Sequence, residues 1–268
     1  MTAVSYAVTD SATMFRRNLR RLLRYPSLTV MLVAMPVLFL LLFVYVFGGQ
    51  LAHGLDAGLS GGHAGRAGYL NYISPGMLIL TVAAAVQGTA IVVAMDMTGG
   101  IIDRFRTMAI SRVSVLTGHV LASLVQALAG IAVVLGVAVA LGFRPHGSAI
   151  EWLAAISLLL LFSLALVWLA TALGLAAKSV ETASNTPMFL YMLPFLGSGF
   201  VPASSMPVGL RQFAEYQPFT PITETVRGLL TGTPIGVGHA IAAVAWSVGL
   251  IVASYPWARH LYNHRSAR

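Results

Sequence analysis

Long apolar runs recur along this chain at the length needed to cross a lipid bilayer. About 20 consecutive apolar residues let a helix span the hydrocarbon core. With 57% hydrophobic and only 9% charged residues, the composition leaves little room for a soluble domain. We therefore predict an all-α integral membrane protein, folded as one domain over residues 1–268. Its six transmembrane helices are expected near residues 28–47, 75–95, 116–141, 151–176, 183–201 and 237–257.

Two of these runs are interrupted by proline. Pro36 lies in the first, and Pro187 and Pro194 lie in the fifth, which therefore cannot form one regular helix. Irregular backbone at membrane depth is tolerated where protein buries it or where it lines a wet cavity. We place a candidate transport path on these runs, with ordinary helix packing as the alternative for each residue. The candidates are Pro36, Phe39, Met188, Tyr191, Phe195 and Phe200.

Three polar segments flank the runs. Residues 11–25 alternate apolar residues with arginines, which predicts an amphipathic helix lying at the membrane interface. A nucleic-acid-binding arm is disfavoured because a span follows at once. Residues 202–235 contain five prolines around two short amphipathic pieces, which predicts an external, re-entrant helical hairpin. The hairpin carries Glu215, Glu224 and Arg227, whose expected roles are local salt bridges or gating.

The third polar segment is a charged island, residues 96–112. It is too polar for lipid and too short for a domain, yet its central residues, 101–108, include four large apolar side chains that a solvated loop would not need. An apolar anchor with a charged rim is typical of a protein-binding surface. The residues expected to contact a partner are Ile101, Ile102, Asp103, Arg104, Phe105, Arg106, Met108 and Arg112.

Charge is distributed unevenly between the two sides of the predicted bundle. Twelve of the sixteen lysines and arginines fall on the side that holds both termini and the charged island. The positive-inside rule makes that side cytoplasmic. Gln87 and Gln126, within spans, are expected to form interhelical hydrogen bonds or to contact substrate. The sequence contains no cysteine, and its histidines do not form a metal-ligating or catalytic motif.

A series of different short motifs lies along these predicted spans and the segments between them. They include Arg24-Tyr25-Pro26, Tyr72-Ile73-Ser74-Pro75-Gly76, Asp103-Arg104-Phe105-Arg106, Ile110-Ser111-Arg112, Phe200-Val201-Pro202, Pro218-Phe219-Thr220-Pro221 and Arg227-Gly228-Leu229-Leu230. Together they resemble the membrane permeases of type 2 ABC exporters, most closely the daunorubicin-resistance permeases. The resemblance covers nearly the whole chain.

The resemblance implies a permease in the bacterial plasma membrane with both termini cytoplasmic. Two permease chains, identical or related, would form the pore, each resting on a separate ATPase subunit that binds MgATP; this chain would bind no cofactor, metal or nucleic acid. Residues 96–112 would be the coupling helix, 11–25 the interfacial elbow and 202–235 the external gate. The expected activity is export of an amphiphilic or hydrophobic compound by alternating access. Export of a lipid or lipid-linked glycan, or an intramembrane transferase activity, remain alternatives.

Overall fold

The computed structural model describes residues 3–24, 26–49, 65–99 and 112–264. Within these ranges the regular structure is entirely helical, which confirms the predicted all-α class. Short helical turns at Phe43–Phe47 (π), Leu193–Leu196 (3₁₀) and Ala203–Ser205 (3₁₀) supplement the α-helices. The α-helices are α1 (Ala3–Arg24), α2 (Pro26–Leu42), α3 (Arg66–Thr98), α4 (Arg112–Ala140), α5 (Ala149–Ala176), α6 (Val180–Asn185), α7 (Met188–Met192), α8 (Val208–Tyr216), α9 (Phe219–Thr231) and α10 (Val237–His264).

Five stretches of helix in the described residues are long and apolar enough to cross a membrane. They are Val30–Phe47, Arg66–Thr98, Leu116–Ala140, Ala149–Ala176 and Val237–Asn263. The remaining apolar run contains only α6, α7 and a 3₁₀ turn, so it is not one regular helix, as its prolines predicted. A multi-pass membrane protein follows, whereas the sixth span stays a prediction.

The helix α3 forms the centre of the bundle. It packs against α2, α4, α5 and α9, while α10 packs mainly on α5. Close backbone approach is possible because small residues lie at the crossings. A Cβ atom added at Gly174 of α5 would lie 2.6 Å from the Ala90 carbonyl oxygen of α3. One at Gly76 of α3 would overlap the Gly199 carbonyl oxygen, so α3 touches the last turn of the fifth apolar run, residues 183–201, which we call the broken run.

Several helix boundaries differ from the sequence prediction. Pro75 was expected to begin a span, but α3 begins at Arg66 and contains Pro75 in its interior. An internal proline costs about 3 kcal/mol in a water-soluble helix, but a membrane-spanning helix tolerates it where neighbouring helices pack around the freed backbone group. Tyr69, Leu70 and Ile73 are all buried, so packing outweighs the cost of the proline.

Two helices extend beyond their predicted bounds. The first, α1, begins at Ala3 rather than near residue 11, and α10 continues beyond residue 257 to His264. The charged island is shorter than expected, because Asp96 lies in the last turn of α3 and Arg112 begins α4. The interfacial position of α1 stays a prediction, although the 74% exposure of Leu23 leaves that side chain available to lipid.

Candidate functional site

The residues predicted to contact a partner protein fall mostly outside the described residues. Arg112 begins α4, but its side chain is also outside the description. Their role as a coupling surface therefore stays a prediction. Those outside the described ranges are Ile101, Ile102, Asp103, Arg104, Phe105, Arg106 and Met108.

Four of the six candidate path residues meet in one aromatic cluster. The rings of Phe195 and Phe200 are stacked, with centroids 4.6 Å apart and planes at 5°. Phe39 of α2 meets Phe195 edge-on at 5.4 Å, and Tyr191 of α7 meets the same ring at 6.2 Å. The proline-interrupted run and the first span are thus in direct contact. We use the term aromatic cluster for Phe39, Phe43, Tyr191, Phe195 and Phe200.

Phe43 belongs to this cluster but was not selected from the sequence. Its ring lies 5.1 Å from that of Phe200 and 6.4 Å from that of Phe39. The spacing of Phe39, Phe43 and Phe47 by four residues was the available signal, since such positions share a helix face. The π turn Phe43–Phe47 begins at this residue, and π turns occur frequently at functional sites.

The other two candidate path residues, Pro36 and Met188, do not belong to the aromatic cluster. Pro36 is buried within α2, whereas the side chain of Met188 is 54% exposed. Phe189 and Met192 of the same short helix are exposed as well. This end of the broken run therefore presents an apolar surface outward, toward lipid or another protein chain.

The guanidinium group of Arg227 joins three separate segments. Its Nε donates to the Tyr72 carbonyl oxygen of α3 at 3.2 Å, and its Nη2 donates to the Ser198 carbonyl oxygen at 2.7 Å. It also lies over the Tyr72 ring, 3.9 Å from the centroid. The Tyr72 hydroxyl donates to the same Ser198 carbonyl at 2.9 Å. We call Tyr72, Ser198, Glu224 and Arg227 the arginine hub.

Glu224 completes the hub as the counter-ion of Arg227. Its Oε1 lies 2.6 Å from Arg227 Nη1, three residues further along α9. Burial raises the pKa of Glu224, but attraction to Arg227, hydrogen bonds from Arg227 and Ser198, and the nearby His239 together outweigh that effect and hold the pKa below its ordinary value. The buried arginine is therefore paired with an ionised carboxylate, which is the condition under which a buried charge is tolerated.

Glu215 lies close to the hub but is paired differently. Its Oε1 accepts from Nε of Arg211 at 2.7 Å on the exposed face of α8. Glu215 and Glu224 also line a common cavity of about 350 Å³ between α8, α9 and α10, together with Tyr216 and His239. Neither Tyr216 of α8 nor His239 of α10 was selected from the sequence, because their meeting at this cavity depends on tertiary packing.

Gln87 forms an interhelical hydrogen bond, which was one of the two roles predicted for it. Its Nε2 donates to the Ser184 carbonyl oxygen at 3.1 Å and so ties α3 to α6. This bond connects the central helix to the beginning of the broken run. The structural role of Gln87 is confirmed, while both roles of Gln126 stay open.

Comparison with known proteins matches nearly the whole chain. The model of the ABC-2 type transporter family matches residues 10–231. The chain is similar to the daunorubicin resistance ABC transporter permease protein DrrB1 of Streptomyces coeruleorubidus, with 28% identity over 262 residues, 97% of this chain and 88% of that protein. It is also similar to the probable doxorubicin resistance ABC transporter permease protein DrrC of Mycobacterium tuberculosis, with 26% identity over 178 residues, 65% of this chain and 64% of that protein.

Proposed function

The chain belongs to the ABC-2 type transporter family, and we propose that it exports an amphiphilic or hydrophobic drug across a bacterial plasma membrane. The resemblance seen in the sequence is thereby confirmed at the level of the family. Members of this family are membrane permeases that work with an ABC ATPase subunit. The observation that carries the proposal is the similarity, over 97% of this chain, to a drug-resistance permease.

In this proposal, ATP acts only on a partner subunit and does not bind to this chain. MgATP would bind to the separate ATPase subunit, and residues 96–112 would transmit its movement to the permease. The apolar side chains Ile101, Ile102, Phe105 and Met108 would anchor that contact, and the charged residues beside them would orient it. Both termini and this segment would then lie in the cytoplasm, in agreement with the charge distribution.

The drug path would follow the aromatic cluster. Aromatic rings provide large apolar contact area and stack on other flat rings, so the cluster suits a hydrophobic cargo. It lies between α2 and the broken run, and Phe200 belongs to the same turn, residues 197–200, that the arginine hub holds at Ser198. Opening of the external hairpin would therefore reach both the hub and the cluster. Two permease chains would alternate between inward and outward exposure.

Co-purification and ATPase activity test this proposal. The permease is expressed with its ATPase subunit, isolated through a tag on the permease, and assayed with increasing doxorubicin. We expect the ATPase to co-purify and its activity to rise with drug. A catalytically inactive ATPase variant controls for contaminating hydrolysis. An ATPase that does not co-purify, or an ATPase activity that does not change with doxorubicin, would contradict the proposal.

A further inference from the structure

A buried carboxylate lies at the end of α3, directly before the segment that leads to α4. Asp96 is only 1% exposed. Its Oδ2 atom lies 3.3 Å from Nη2 of Arg17, which donates a hydrogen bond, and 3.3 Å from Nε2 of His119. The three side chains come from α3, α1 and α4 respectively. We call this group the Asp96 triad.

The close crossing of α1 and α4 brings the triad together. A Cβ atom added at Gly118 would lie 2.5 Å from the Met14 Cβ, so the two helices touch where Gly118 lacks a side chain. His119 follows Gly118, and Arg17 is three residues after Met14, on the same side of α1. The crossing therefore directs one side chain from each helix toward Asp96.

The positive charge of Arg17 compensates the burial of the Asp96 carboxylate. An ionised carboxylate removed from water is costly unless hydrogen bonds and opposite charge compensate it. Arg17 supplies a positive charge, and its side chain remains one-third exposed. Because α1 packs mainly on α4, the Arg17–Asp96 contact adds a direct connection from α1 to α3. The carboxylate is thus the point that these three helices share.

The position of the triad in the chain suggests what it does. The helix α3 ends at Thr98 and α4 begins at Arg112, so residues 99–111 join the two helices that hold Asp96 and His119. These are the residues that would receive the ATPase. A displacement of this segment must pass through the last turn of α3 and the first two turns of α4, which the triad links to α1.

We propose that Asp96 is a positioning residue for energy coupling: it fixes α1 and both ends of the coupling segment as one unit, so that ATPase movement reaches the membrane spans. The inference rests on the proposed function. Loss of the triad would leave the ATPase bound and active, because Asp96 is buried and does not form the docking surface. It would reduce the amount of drug moved per ATP hydrolysed.

The test measures doxorubicin transport and ATP hydrolysis together, in proteoliposomes containing the permease and its ATPase subunit. The variants are D96N, R17Q and R17K. D96N removes the charge with little change in shape, whereas R17K retains the positive charge. E181Q is the matched control, because Glu181 is an exposed carboxylate close to the Ala94, Ala177 and Ala183 cluster at the same end of the molecule.

We expect D96N and R17Q to lower transport per ATP by about threefold or more, with ATPase co-purification unchanged. R17K should restore most of the ratio, and E181Q should match the wild type. If D96N does not fold, R17Q still tests the inference, because replacing a partly exposed side chain such as Arg17 disturbs folding less. A wild-type transport ratio in R17Q, or equal effects of R17Q and R17K, would overturn the inference. Absence of ATP-dependent transport by the wild type would instead contradict the proposed function.

Discussion

At the scale of single residues, Arg227 connects distant parts of the chain. It donates to the Tyr72 carbonyl oxygen, 155 residues away, and to the Ser198 carbonyl oxygen in the last turn of the broken run. Truncating it would leave the partly buried Glu224 without its counter-ion and would remove the bonds to the carbonyl oxygens of Tyr72 and Ser198. A hydrogen bond to a charged group contributes about 1.5–3 kcal/mol, whereas an exposed ion pair contributes about 0–1 kcal/mol.

We therefore expect R227A to be strongly destabilised and R211A to be close to the wild type. Arg211 is the matched control because it pairs with Glu215 on the exposed face of the neighbouring helix α8. Thermal unfolding of the detergent-solubilised proteins, followed by size-exclusion chromatography after heating, measures the difference. Equal midpoints for the two variants would show that the hub does not hold the hairpin.

The contact between Gly76 and Gly199 gives a second prediction at this scale. A methyl group at Gly76 would overlap backbone atoms, the carbonyl oxygen of Gly199 and its Cα, the latter at 2.8 Å. Backbone cannot rotate away as a side chain can, so G76A should cost about 1–3 kcal/mol. G136A is the control, since no atom lies within 4 Å of that added Cβ. The same heating assay applies, and a G76A midpoint equal to that of G136A would contradict the close approach.

The sequence identified part of the hub but not all of it. Glu224 and Arg227 were selectable because charges are rare in this chain and these two lie three residues apart on a short amphipathic helix. Tyr72 and Ser198 were not, since the bond between them closes 126 residues of chain. Nothing local in either residue indicates that contact. The same limit explains why Arg17 and His119 were not recognised as partners of Asp96.

At the scale of helices, the segment between α3 and α4 is expected to bind the ATPase. Replacing Arg104, Phe105 and Arg106 by alanine removes two charges and one large apolar anchor. We expect co-purification of the ATPase to weaken by roughly 30-fold or more, because an anchor residue typically contributes about 2 kcal/mol or more. Quantitative pull-down from membranes measures this loss.

A matched triple replacement separates docking from general damage. Leu210, Arg211 and Gln212 form an exposed stretch of α8, on the side predicted to face outward. Their replacement by alanine should leave ATPase binding unchanged. Unaltered binding after the Arg104, Phe105 and Arg106 replacement would reject this segment as the coupling surface.

Helix type was more predictable than helix length. Pro187 and Pro194 correctly predicted that the fifth apolar run is broken, because proline removes a backbone donor and clashes with the preceding turn. Pro75 suggested a helix start that does not exist. The difference is burial, because Tyr69, Leu70 and Ile73 hold the preceding turns of α3 in the core. The proline itself gives no sign of this packing.

At the scale of the whole molecule, the positive-inside rule predicts which ends face the cytoplasm. The chain contains no cysteine, so single cysteines can report accessibility without background. In intact bacteria, a membrane-impermeant maleimide should label S205C in the predicted external segment. S179C, in the turn after α5, should label only after the cells are opened. The reverse pattern would invert the topology.

The central claim is that this chain uses ATP hydrolysis by a partner subunit to move a drug across the membrane. Proteoliposomes containing purified permease and ATPase test it most directly, with doxorubicin outside and its uptake followed by fluorescence quenching after ATP addition. We predict uptake that requires Mg²⁺ and ATP, stops with a catalytically inactive ATPase, and is absent without the permease. Uptake by the permease alone, or no ATP-dependent uptake by the complete complex, would contradict the account.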